Sequence, residues 1–203
     1  MQLILVDPKQ DLCEAWQKHF EQYPEVQIVN DYFENLPAFD CMVSVANSFG
    51  LMDGGVDYAI TKFFGTQLQN RVQQHIITHY WGEQPVGTSF VIETYHEKHP
   101  FLAHTPTMRV PMQITRTDNV YVAMFALLRA IGTHNQTNEG RKIEMVACPG
   151  LGTQAGKVNP NEAARQMHLA YKNFKNPPKL LSWNYADKIQ QEIIFGGDLW
   201  NSY

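Results

Sequence analysis

The apolar runs "LILV", "VQIV", "FDCMVSVA" and "KIEMVACPG" restrict how this chain can fold more than any other feature. "VQIV" and "FDCMVSVA" are apolar enough to be strands buried on both faces, not on one. "LILV" leads into the amphipathic helical stretch "DLCEAWQKHFEQY", and "FDCMVSVA" leads through a polar loop into "VDYAITKFFG", with Gly65 as its stop. "TQLQNRVQQHIITHYWG" is a further helix, followed by strands in "VGTSFVIET" and "LAHTPTMRVP". "NVYVAMFALLRAIGTHN" is a strongly apolar helix, and "NPNEAARQMHLAYKNF" starts at Asn159 or Asn161. Strands alternating with helices give an α/β sheet covered on both faces. Ligands of such sheets bind in loops at the carboxyl ends of the strands.

At 203 residues with 44% apolar and 18% charged residues, the chain reads as one globular domain spanning 1–203. A formal net charge of -4 excludes a broad basic field for nucleic acid, although backbone N–H groups can still hold a small anion. No apolar run reaches the roughly 18 residues of a membrane span, so no membrane partner is expected. "MQLILVDPKQ" lacks a basic leader and reads as a strand, not a signal peptide. Cys13, Cys41 and Cys148 are odd in number and without CxxC spacing, which fits reduced thiols in a cytoplasmic protein. The aromatic stretch 177–203, with Trp183, Tyr185, Phe195, Trp200 and Tyr203, is expected to pack back on the domain.

Two glycine-bearing loops occupy the ligand-binding place in this pattern. "VANSFGLMDGGVDYAI" (residues 45–60) brings Gly54 and Gly55 to the start of a helix, where bare N–H groups and the helix dipole favour a phosphate. Gly150 to Gly156 repeat the arrangement at another strand end, with the Thr153 hydroxyl as an added donor. Facing each other, the two loops would clamp a diphosphate; taken singly, each reads more readily as a tight strand-to-helix turn. Neither is a P-loop or a GxGxxG fingerprint. Asn47 offers a donor and an acceptor suited to a ribose hydroxyl, and Asp57 falls in the first helical turn, where a carboxylate could accept a proton from water.

"DCMVSVANSFGLMDGGVDYAI" and "IEMVACPGLGTQAGKVNPNEAARQM" resemble the two signatures of macrodomains, the ADP-ribose-binding family, and the likeness runs over roughly residues 26 to 174. The resemblance implies a three-layer α/β/α sandwich with a mixed central sheet. It assigns Asn47 to the ribose beside the leaving group and Asp57 to water activation in the hydrolysing branch. Gly54, Gly55 and Val56 become the first phosphate loop. Leu151, Gly152, Thr153, Gln154, Ala155 and Gly156 become the second. Asp31 is the candidate acid for adenine. Ser44 stands where the family has asparagine, which weakens one polar anchor. Gln154 replaces a glycine, so a positive φ there would cost about 1 kcal/mol.

The resemblance implies binding of ADP-ribose, or of an ADP-ribosylated macromolecule, with hydrolysis of the ADP-ribosyl linkage; the alternative is a non-catalytic reader. No metal or redox cofactor is implied. His75 and His79 of "HIITH" lack the glutamate of HExxH, and His96, His99 and His104 lack partner cysteines. Cys148 has no readable His–acid pair and is expected to be a buried thiol.

Overall fold

In a computed structural model the chain is described over residues 1–137, 139–194 and 196. Among these residues the apolar runs form strands β1 (Gln2–Val6), β2 (Val26–Val29), β3 (Cys41–Ser44), β4 (Phe90–Glu93), β5 (Phe101–His104) and β6 (Met145–Cys148). The helices are α1 (Gln10–Phe20), α2 (Gly55–Phe64), α3 (Gln67–Tyr80), α4 (Asn119–Thr137), α5 (Pro160–Lys175) and α6 (Trp183–Ile194). The strands lie in the order β2-β1-β6-β3-β5-β4. All neighbours are parallel except β4, which runs antiparallel to β5 at one edge. This is the mixed sheet that the resemblance implies.

Side chains alternate across the sheet because successive Cβ atoms point to opposite faces. Leu3, Leu5, Val43, Val146 and Cys148 pack with Trp16, Met124, Leu127, Met167 and Ala170 of α1, α4 and α5. Ile4, Val6, Met42, Leu102 and Ala147 face the other way, against Ile60, Leu68, Val72 and Ile76 of α2 and α3. Burial on both faces explains why these strands read as continuous apolar runs.

Helix ends follow local chemistry. Gly65, at φ 90°, stops α2. Asn159, not Asn161, caps α5: its Oδ1 accepts the Asn161 N–H at 2.9 Å, and Pro160 follows it. At the amino ends of β3 and β6, Asp40 Oδ2 accepts the N–H groups of Glu144 and Met145, both at 2.9 Å. That locks the register Cys41↔Val146 and Met42↔Ala147.

The carboxyl-terminal stretch packs back on the domain through α6, but not by Trp183. Trp183 is 84% exposed, while Ile193 is the buried residue of α6. Aliphatic residues, not Trp183, make this contact, and Arg165 of α5 secures it by donating to the carbonyls of Glu192 and Ile193, both at 2.8 Å. Phe195, Trp200 and Tyr203 lie outside the described residues. No helix among the described residues is long and apolar enough to cross a membrane.

Candidate functional site

The register of β3 on β6 brings their carboxyl ends side by side, about 4.8 Å apart. The two glycine-bearing loops therefore leave the sheet as neighbours. Between them lies a cleft of about 260 Å³, whose walls include Asn47, Gly54, Gly55, Val56 and Asp57 from the first loop and Gly150, Gly152, Gln154, Ala155 and Gly156 from the second. Both loops thus face one cavity.

In the first loop, Gly54 precedes α2 in an extended conformation and has no side chain to cap the helix. The N–H groups of its first turn are left for a ligand. Gly55 adopts φ +55°, where a side chain would be strained. Asn47 shapes the loop from within. Its Oδ1 accepts the N–H groups of Phe49 (3.1 Å) and Leu51 (3.3 Å), and its Nδ2 donates to the Leu51 carbonyl at 3.0 Å. An isolated bridge pairs Asn47 with Met108.

Asp57 sits in the first turn of α2 and is 6% exposed. Ser44, fully buried at the end of β3, donates its hydroxyl to Asp57 Oδ1 at 2.6 Å. Burial pushes the Asp57 pKa up to about 7, against the opposing pull of the Ser44 hydroxyl and the Val45 backbone. A carboxyl of this kind can hold or release a proton near neutrality. Ser44, expected as a weakened anchor, is the partner of this acid.

The second loop is a closed turn. Val158 N–H donates to the Gly152 carbonyl at 3.1 Å, and Lys157 N–H to the Gln154 carbonyl at 3.2 Å. The positive φ values of this turn fall on Gly152 (71°) and Lys157 (55°), not on Gln154. Gln154 therefore carries no such strain. Thr153 is also placed differently from expectation: its Oγ1 is buried with no hydrogen-bond partner among the described residues, and it is not among the cleft-lining residues. Leu151 is fully buried in the core and does not line the cleft either. Asp7, at the end of β1, accepts the Lys9 N–H at 3.0 Å and hydrogen-bonds the Gly150 backbone, so it pins the start of this loop. Burial raises its pKa, while those backbone bonds oppose the shift.

Thr107, Met108 and Pro111 form a third wall that the sequence reading missed. β5 ends at His104, so the segment after it emerges at the same carboxyl edge. The rule that flagged the two glycine loops applies to it equally. Asp31 lies just beyond β2, outside the cleft lining, and its Oδ1 accepts the Tyr32 N–H (2.7 Å) and Asn35 Nδ2 (2.8 Å). Cys148 is fully buried, which raises its thiol pKa. Among the described residues no three His, Cys, Asp or Glu side chains come together as a metal site.

The comparisons agree with this geometry. The family model for the Macro domain matches residues 43–167, which include both loops. A protein of Aquifex aeolicus is 27% identical over 170 residues, covering 84% of this chain and 93% of that one. The macrodomain of Mycobacterium tuberculosis DarG superposes with a TM-score of 0.57 at 18% identity, over 70% of this chain and 86% of that one. The Oceanobacillus iheyensis macrodomain with ADP superposes with a TM-score of 0.55 at 19% identity, over 77% and 84% of the two chains. A mutant of the same macrodomain with ADPR gives 0.58 at 17% identity, over 95% and 92%. With a family model that matches more than half of the chain and includes both loops, the chain belongs to the Macro domain family.

Proposed function

We propose that this chain binds ADP-ribose across the two loops and hydrolyses the bond that joins it to a modified acceptor. The observation that carries the reading is Asp57, a buried carboxyl with a pKa near 7, in a cleft whose adjoining wall is the uncapped start of α2. The diphosphate sits over the N-terminus of α2, where bare N–H groups and the dipole favour anionic charge. The distal ribose lies toward Asn47 and Asp57. The adenosine extends along the carboxyl edge toward β1 and β2. β2 is two strands from β6, or about 10 Å, which suits the reach of a nucleoside to Asp31. The Oceanobacillus iheyensis macrodomain structures with ADP and with ADPR support this ligand class.

In the reaction, the Asp57 carboxylate takes a proton from a water that attacks the ribose anomeric carbon. The bond from that carbon to the acceptor breaks, the water oxygen stays on the ribose, and the proton leaves with the acceptor. A carboxylate beside the ring also favours the positive charge that develops there. A second reading, a reader without turnover, is favoured by one observation: the Asn47 amide is already engaged with the backbone of its own loop.

Calorimetric titration with ADP-ribose tests the binding half. A micromolar constant, about -8 kcal/mol, is expected, with AMP far weaker because it cannot use the diphosphate and distal-ribose contacts. Equal affinity for AMP and ADP-ribose refutes the two-loop clamp. Release of labelled ADP-ribose from an ADP-ribosylated protein mixture separates hydrolase from reader, since binding without release leaves the reader.

A further inference from the structure

The cleft poses an electrostatic problem for a diphosphate. Among the described residues its lining includes the carboxyl-bearing Asp53 and Asp57, and no Lys or Arg. Two of the lining residues carry side-chain amides, Asn47 and Gln154. Asn47 Nδ2 is engaged with the Leu51 carbonyl. Asn47 is thus turned toward its own loop, whereas the Gln154 carboxamide reaches across toward the first residue of α2.

The position of Gln154 suits contact with a ligand. The Gln154 backbone is held in the turn by the Lys157 N–H, while the residue as a whole is exposed. The side chain reaches from the second loop to the first residue of α2, and its Oε1 lies 2.8 Å from where a Cβ on Gly55 would stand. The carboxamide thus spans the gap between the loops, over the uncapped helix start. Rotation about its last side-chain torsion exchanges Oε1 and Nε2, an exchange available to an exposed amide at little cost. The NH2 group then faces the anion site.

We propose that the Gln154 carboxamide closes over the ligand's diphosphate as a side-chain donor. This rests on the ADP-ribose reading above. Backbone N–H groups hold the phosphate from the α2 side, and Gln154 covers it from the second loop. The residue adds a side-chain donor to a cleft that otherwise offers backbone donors to the anion.

The test is calorimetric titration of the parent, Gln154→Ala and Gln154→Glu with ADP-ribose and with inorganic diphosphate. Unfolding temperatures without ligand monitor the fold, and an exposed side chain should leave them unchanged. Gln154→Ala is expected to weaken both ligands about tenfold, as loss of one hydrogen bond to a charged group does. Gln154→Glu should weaken them at least about a hundredfold at low ionic strength, with part of the loss recovered in salt. If Gln154→Ala binds as tightly as the parent, or more tightly, the carboxamide is merely displaced by ligand; the proposal is then overturned, and the ADP-ribose reading stands. If neither parent nor Gln154→Ala binds ADP-ribose, the reading itself fails and the proposal with it.

Discussion

Ser44 Oγ donates to Asp57 Oδ1 at 2.6 Å, joining the last residue of β3 to the first turn of α2 in buried surroundings. The bond couples the sheet to the helix start that lines the cleft. It also favours the charged form of a carboxyl that burial drives toward the neutral one. The acid limb of any Asp57-dependent activity is therefore set by both residues.

Ser44→Ala should move that limb. Loss of the hydroxyl takes away a donor to the carboxylate, so the Asp57 pKa climbs above its value of about 7. The half-maximal pH for ADP-ribosyl release should rise by about one unit, the equivalent of roughly 1.4 kcal/mol. Turnover at high pH should largely recover, and Ser44→Thr, which keeps the hydroxyl, should hold the parent profile. A uniform loss of rate at every pH would mean that Ser44 acts only through packing.

Gly54→Glu tests the anion site with little strain. Gly54 is extended, and a Cβ there meets nothing within 4 Å, whereas Gly55 has φ +55° and faces Gln154. A substitution at Gly55 would therefore mix ligand effects with backbone strain of about 1 kcal/mol. A carboxylate at Gly54 is compatible with the helix N-terminus, so the unfolding temperature should hold or rise slightly. ADP-ribose affinity should fall at least about a hundredfold through repulsion and steric exclusion. Calorimetry beside thermal unfolding reads both, and undiminished binding would move the diphosphate away from α2.

The strands were legible because burial on both faces makes β1, β3 and β6 continuous apolar runs. The ends of α2 were legible because Gly54 and Gly65 act locally, one as an uncapped start and one as a positive-φ stop. The third wall was not, because Thr107, Met108 and Pro111 belong to an irregular segment with no glycine to mark it. The role of Ser44 depends on α2 folding back over β3, a contact between residues thirteen positions apart that no local pattern encodes. Which residues of the second loop take a positive φ, Gly152 and Lys157, could not be assigned without the hydrogen bonds that close the turn.

Arg165 should prove a structural anchor. It donates to both Glu162 carboxylate oxygens at 2.7 Å and to the carbonyls of Glu192 and Ile193 at 2.8 Å. Glu162 is 3% exposed, so Arg165→Met strands a buried carboxylate and frees the end of α6. A loss of about 3–5 kcal/mol is expected in urea denaturation, and Glu162→Gln in the same chain should restore much of it. Limited proteolysis should cut before α6 sooner in Arg165→Met than in the parent. A loss below about 1 kcal/mol would show that the ion pair is replaceable by solvent at this site.

Asp57→Asn should have opposite effects on stability and on turnover. Burial raises the Asp57 pKa from 3.8 to about 7, so the folded protein binds this proton more tightly than the unfolded chain does. Below about pH 4 the group is protonated in both states and neutral to stability; between about pH 4 and 7 stability falls as pH rises, and above that the deficit is constant. Three pH units correspond to about 4 kcal/mol. Asp57→Asn removes a charge that the fold accommodates poorly, so the variant should gain up to about 4 kcal/mol over the parent at pH 8 and nothing at pH 4. The parent curve also contains His104, whose pKa burial lowers to about 3, and that residue makes acid destabilising below about pH 6.5. Subtracting the two denaturation curves cancels this contribution and isolates Asp57. In the release assay the same variant should lose roughly 10²–10⁴ in turnover, the worth of a positioned general base, while ADP-ribose affinity changes far less. A gain equal at every pH would trace the stability change to packing, and turnover that survives in Asp57→Asn would place the base elsewhere.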